Sequence, residues 1–138
     1  MKFNEGIYYV WIGGSCDYGR QERAGGAAYI IEKGGKVIDT FVTSELHTTE
    51  FRMMLKAMIN AMESVPEGSE MVFLTNVAYL QNFDRIPSDG TANADLIAEC
   101  IRVKGRLNST TVKIVSYHKF PQLSETHQMA HEAMVSIR

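Results

Sequence analysis

Thr48-Thr49-Glu50-Phe51-Arg52-Met53-Met54-Leu55 opens the stretch whose reading decides the fold. From here to about Ser64, Phe51, Met54, Leu55, Met58, Ile59 and Met62 recur at steps of three and four. That spacing predicts an amphipathic helix with one broad apolar face. Thr48 or Thr49 can cap its start, and Glu50 suits the positive end of its dipole. Arg52, Lys56, Asn60 and Glu63 line the opposite stripe, and Met54 lies well inside the apolar arc. Pro66-Glu67-Gly68 ends the helix.

Upstream, Ile7 to Ile12 is an apolar and aromatic run that predicts a central strand, ended by Gly13-Gly14-Ser15. Cys16 to Glu22 reads as a polar loop. Ala24 to Glu32 and Val37 to Thr43 predict two more strands, joined by a Lys33-Gly34-Gly35-Lys36 hairpin turn. Downstream, Glu70 to Thr75 predicts a fourth strand; its unbroken Met71-Val72-Phe73-Leu74 run suits a strand covered on both faces. Val77 to Phe83 predicts a short helix, and Asp84 to Thr91, with Pro87 and Asp89-Gly90, a loop. Ala92 to Leu107 predicts a helix and Val112 to Tyr117 a fifth strand. A last helix, capped by Ser124, runs to about Ile137. This order predicts an α/β fold: a mixed five-stranded sheet, three antiparallel strands then alternating helices and strands, with helices on both faces.

The 138 residues suit one domain spanning 1–138. With 45% hydrophobic and 22% charged residues the composition is that of a soluble globular chain. A net charge of −2 argues against strong non-specific binding to nucleic acid, while leaving room for a local basic groove. Cys16 and Cys100 lie far apart without metal-ligand spacing, so reduced thiols are expected. No signal-peptide core and no run long enough to cross a membrane is present, and a cytoplasmic protein is expected.

Several strings stand in a suggestive order: Ile12-Gly13-Gly14-Ser15-Cys16, then Thr48 to Leu55, then Leu74-Thr75-Asn76-Val77-Ala78-Tyr79-Leu80. Asn93-Ala94-Asp95-Leu96, Tyr117-His118 and Ala130-His131-Glu132-Ala133 follow. With the element order, these resemble the ribonuclease H family, the type found in bacterial ribonuclease H and retroviral reverse transcriptases. The family strings are Thr-Asp-Gly-Ser-Cys, Thr-Thr-Asn-Asn-Arg-Met-Glu-Leu and Ser-Thr-Asp-Ser-Gln-Tyr-Val. The resemblance covers nearly the whole chain and implies a ribonuclease H-like fold. The short Gln81 to Ala92 stretch implies that the basic protrusion of some members is missing.

The family hydrolyses the RNA strand of RNA–DNA hybrids, using two magnesium ions held by four carboxylates. Aligned residue by residue, the four acid positions fall on Gly13, Met54, Asn76 and His131. Glycine offers no ligand, and a thioether is too soft for magnesium. Asparagine offers only an uncharged oxygen. His118 matches the family's mobile proton-shuttle histidine. The resemblance therefore implies a pseudoenzyme with a degenerate active site, no intact catalytic residue, no metal and no cofactor. The domain is then a binding module for nucleic acid or a protein partner, and the residues are compatible with either. The rival reading is a diverged, metal-dependent nuclease of ribonuclease H type, using magnesium or manganese through relocated ligands such as Asp17 or Glu50. A third reading is a scaffold for self-association.

Nucleic-acid contacts, carried over by position, fall to Ser15, Cys16, Thr49 and Arg52. The two asparagines that read the hybrid in the family are replaced by Glu50 and Phe51, which predicts weak binding. Arg102, Lys104 and Arg106 scatter around a helix and read as a solvated face. His127 and His131 stand one turn apart, and His118 is a candidate third partner for a transition metal. Without a Glu-x-x-His frame the plainer reading is three surface or half-buried histidines. The many core methionines read as adaptable packing.

Overall fold

β1 (Ile7–Cys16), β2 (Gly25–Lys33) and β3 (Lys36–Glu45) form an antiparallel meander, and β4 (Glu70–Thr75) and β5 (Ser109–Ile114) join it in parallel to β1. The order across the five-stranded sheet is β3-β2-β1-β4-β5. A computed structural model describes residues 1–88 and 90–138; Asp89 of the expected Asp89-Gly90 turn lies outside the described residues. α1 (Glu50–Glu63) and α2 (Ala94–Lys104) cover one face of the sheet, and α3 (Pro121–Ile137) covers the other. Among the described residues no helix is long and apolar enough to cross a membrane.

Alternation along β1 feeds two cores. Val10 and Ile12 pack with Tyr29 and Ile31 beneath α1 and α2, while Tyr9 and Trp11 pack with Ile30, Leu74 and Leu123 beneath α3. α1 begins as its sequence predicts: Thr49 is the cap, its hydroxyl accepting from the Arg52 amide at 3.2 Å. Met54, Leu55, Met58 and Met62 are fully buried, as is Met53, which the expected apolar face did not include. Gly34 and Gly35 turn the β2–β3 hairpin with φ of +60° and +76°, the left-handed region that glycine adopts without strain.

The helices approach the strand backbone where β1 and β2 carry only small residues: Gly13 faces Ala28, Gly14 faces Ala27, and Ser15 faces Gly26. A Cβ on Gly26 would lie 2.3 Å from the Ala130 carbonyl oxygen, so α3 rests on bare backbone there. This cross-strand pairing carries β1 through Gly13-Gly14-Ser15 to Cys16, past the end its sequence predicted. β5 starts at Ser109 and stops at Ile114, in a frame earlier than Val112 to Tyr117; Tyr117–Lys119 is a short 3-10 turn. Ser124 is not the cap of α3, which starts at Pro121 because proline's fixed φ suits a first helical position. α2 is shorter than expected, Asn93 entering it in the left-handed conformation. Val77 to Phe83 contains a 3-10 helix, Ala78–Asn82.

Candidate functional site at the strand ends

β1 and β4 run in parallel, with Trp11 beside Leu74, so that Gly13-Gly14 and Asn76 reach the same end of the sheet. α1 and α3 close on that end from opposite faces. Gly13 faces α3: a Cβ there would lie 3.2 Å from Thr126 Oγ1 and 3.3 Å from the His127 ring. Gly14 faces α1: a Cβ there would lie 2.8 Å from Met54 Cγ and 2.9 Å from Glu50 Cγ. The site is thus lined by backbone on the sheet side and by Met54, Glu50 and His127 on the helix sides.

His127 Nε2 donates to Asn76 Oδ1 at 2.8 Å, tying α3 to the end of β4. Burial pushes the His127 imidazole below its ordinary pKa, opposed by the Glu50 carboxylate. The ring is therefore neutral near pH 7, and the Asn76 Oδ1 acceptor assigns its proton to Nε2. Tyr117 stacks edge-on between two histidines, its centroid 5.0 Å from His127 and 5.2 Å from the exposed His118. A shallow open recess of about 360 Å³ lies here, lined by Gly14, Ser15, Tyr117, Ser124, His127 and His131 among others. Of the two α3 histidines, His127 meets Asn76 and Gly13. His131 is exposed one turn further on, at the recess wall.

Across the site, Tyr79 donates its hydroxyl proton to Glu50 Oε1 at 2.5 Å, and its ring meets Phe51 edge-on at 4.9 Å. Burial and the adjacent Glu50 carboxylate hold the Tyr79 phenol far above its ordinary range, so it stays a donor. The Glu50 amide donates to the Tyr18 hydroxyl at 3.0 Å. Met54 is wholly enclosed, a core side chain under Gly14.

The residues expected to touch nucleic acid are engaged internally. Arg52 forms a bidentate pair with Asp95, at 3.1 and 2.9 Å, and reaches Asn93 Oδ1 at 3.3 Å. The Arg52 guanidinium holds the Asp95 carboxyl down to a pKa of about 2. Thr49 is spent as the α1 cap, and the Cys16 thiol donates to the Thr48 carbonyl at 3.6 Å. Burial raises the Cys16 pKa, leaving a thiol rather than a thiolate. Ser15 lines the recess. Arg102 and Lys104 pair with Glu99 and Asp84, and Arg106 donates to the Met62 and Val65 carbonyls, in keeping with a structural surface.

Asp17 does not turn into the site; it pairs with Arg20 at 3.4 Å and Arg138 at 3.2 Å. Among the described residues no three His, Cys, Asp or Glu side chains gather as a metal-ligand set, so His118, His127 and His131 do not converge as one. Sequence reasoning did not single out Tyr18, Tyr79 and Tyr117 as site residues. Their tie to the site is long-range, 29 residues from Glu50 for Tyr79, and no local spacing announces it.

No family model matches the chain, and no curated protein matches it. Solved structures do. The chain is similar to LC9-RNase H1, described as a type 1 RNase H with the type 2 active-site motif, at TM-score 0.73 and 19% identity over 99% of this chain and 75% of that one. It is similar to the N-terminal RNase H domain of Rv2228c from Mycobacterium tuberculosis, at TM-score 0.74 and 9% identity over 94% of each chain. RNase H1 from Halobacterium salinarum NRC-1 gives TM-score 0.70 and 13% identity over 95% of this chain and 99% of that one. The fold of this chain is ribonuclease H-like, the α/β class its sequence predicted.

Proposed function

We propose that this chain is a ribonuclease H-like domain that binds without cleaving. The carrying observation is the donor set at the strand ends. Gly13 has no side chain, Met54 is an enclosed thioether, and Asn76 Oδ1 is taken by His127. The carboxylate that reaches the site, Glu50, accepts from Tyr79. A pair of magnesium ions needs several charged oxygens around it. The residues here do not fit that demand, so no hydrolytic step is derived through such ions.

Nucleic acid is the partner class that the named structural neighbours suggest, since ribonucleases H act on RNA–DNA hybrids. The grip is weak on this reading, because Arg52 is already paired and Glu50 adds negative charge beside the recess. A second reading, a protein partner or self-association, is favoured by the outer strand β3, where Val37, Ile38 and Val42 stand exposed. The diverged nuclease has Glu50 as its best remaining ligand.

A labelled RNA–DNA hybrid incubated with the protein and magnesium or manganese separates these readings. The expected result is no cleavage, with weak, salt-sensitive retention of the hybrid. Cleavage that disappears in Glu50→Gln overturns the proposal. Absence of any retention at low salt moves the assignment to the protein-binding reading, which a mass measurement in solution then tests.

A further inference from the structure

The far end of the sheet holds a recess of about 270 Å³, between the first residues of the chain, the β2–β3 hairpin and the start of α3. Phe3, Glu5, Tyr9, Glu32 and Gln122 line it, with the Gly34-Gly35 turn. An Asn4 turn builds its outer wall. The Asn4 side chain accepts from the Gly6 amide at 2.8 Å, and the Asn4 amide donates to the Tyr9 hydroxyl at 2.6 Å. Phe3 and Tyr9 meet edge-on with centroids 4.7 Å apart, presenting aromatic surface.

Two acceptor oxygens at this recess lack donors among the described residues. Glu32 Oε1 accepts from both Trp11 Nε1 and Gln122 Nε2, and Glu32 Oε2 has no partner among the described residues. Gln122 Oε1 is buried and unpartnered. Turning that amide over would set its oxygen against the Glu32 carboxylate, so the orphaned atom is the acceptor. No ion pair reaches Glu5 or Glu32 among the described residues; nearby Lys33 is drawn to the Tyr8 ring and hydroxyl instead. A buried acceptor without a donor is costly unless something fills the place.

We propose that this recess is a binding site for a guanidinium group on a short alkyl stem. A planar fork of N–H donors takes the open Glu32 oxygen and, with a shift of the Gln122 side chain that uncovers its enclosed Oε1, that acceptor as well, which a point-like ammonium does less well. The cation's face suits the aromatic wall, and Glu5 adds attraction at the mouth. The glycine turn, with no Cβ on either residue, leaves the rim open to the stem. Nothing here depends on the cleft at the other end of the sheet.

Trp11 is the only tryptophan, and its indole N–H rests on Glu32, so its emission reports on the site. Titration with butylguanidinium is expected to give a saturable change with half-saturation below about 5 mM. Neutral butylurea, of the same shape, is expected to bind at least tenfold more weakly. Glu32→Gln keeps an acceptor for Trp11 and is expected to weaken the cation tenfold or more; Glu5→Gln, at the exposed mouth, weakens it two- to threefold. Amide shifts in an NMR titration are expected at Gly34, Gly35 and the Gln122 side chain. Agmatine and N-acetylarginine amide distinguish a free cation from an arginine side chain, the tighter one naming the source. Equal binding of butylurea, no saturable signal by either readout to 50 mM, or binding indifferent to Glu32→Gln overturns the proposal.

Discussion

Met54→Glu puts a carboxylate at the position that motif resemblance matches to a ribonuclease H acid, and the surroundings of Met54 set its cost. The Met54 side chain is fully buried and shares the space over Gly14 with Glu50, one helical turn away. Losing that burial costs about 1.5–3 kcal/mol of apolar transfer. Met54→Gln, uncharged, carries this loss plus an unsatisfied amide, for a total of about 3 kcal/mol. Met54→Glu adds a charge beside Glu50 in a dry site, so its folded pKa rises above the unfolded value of about 4.3. The folded state then binds the extra proton, and stability falls as pH climbs from about 4.3 to that raised pKa. The added penalty is close to zero near pH 4 and about 3 kcal/mol at pH 7. In urea melts followed by Trp11 emission, with a slope of about 1.5 kcal/mol per molar, Met54→Glu trails Met54→Gln by about 2 M at pH 7. At pH 4 the two coincide. Equal midpoints at pH 7 would refute the reasoning, because the carboxylate would then have reached water.

Gly26→Ala drives a methyl into the Ala130 carbonyl and is expected to cost about 3 kcal/mol in the same melts; a loss below about 1 kcal/mol would mean α3 yields easily. His127 has a depressed folded pKa, so the unfolded chain protonates first: its stability is complete above about pH 6.5 and drains as pH falls toward the lower folded value. His127→Gln, which keeps a donor for Asn76, is expected to flatten that slope, and an unchanged slope assigns it elsewhere. Asp95→Asn frees Arg52 from its bidentate pair. If hybrid passes along α1, the salt dependence of binding steepens by about 0.9 in log–log slope, and an unmoved slope takes Arg52 off the path.

The elements that could be read from the sequence are those whose causes are local. α1 follows from a helical apolar period with Thr49 before it, the hairpin from paired glycines, and β4 from an unbroken apolar run. What escaped depends on partners far along the chain. β1 continues through Gly13-Gly14 because Ala27 and Ala28 pair with it, a match that no window around residue 13 contains. The histidine beside Asn76 is His127, 51 residues away, whereas the start of α3 at Pro121 rather than Ser124 is a local proline signal that the sequence reading passed over. Motif position put Gly13, Met54 and Asn76 at one site; Gly13 and Asn76 both meet His127, and Met54 packs under the neighbouring Gly14. The Tyr79–Glu50 and Tyr117–His127 contacts needed the fold before they could be seen.

Ions shared between carboxylates would tie the ends of β1, β4, α1 and α3 together; here side-chain hydrogen bonds span the same gaps. His127 joins α3 to Asn76 at the end of β4, and Tyr79 joins the turn after β4 to Glu50 at the start of α1. Glycine backbone under both helices lets them close without side chains between. Four carboxylates in one cleft repel until metal arrives, whereas this arrangement has no such strain to relieve. Stability is therefore expected to be indifferent to chelation: a millimolar excess of EDTA leaves the melting temperature where it was. Cutting the tie with His127→Ala instead lowers stability by about 1 kcal/mol, from one lost hydrogen bond and lost packing of the half-buried ring, the exposed Asn76 carbonyl turning to water. A melting temperature that drops on chelation and recovers with magnesium would mean that ions hold this end of the sheet, and the non-cleaving assignment would fall with it.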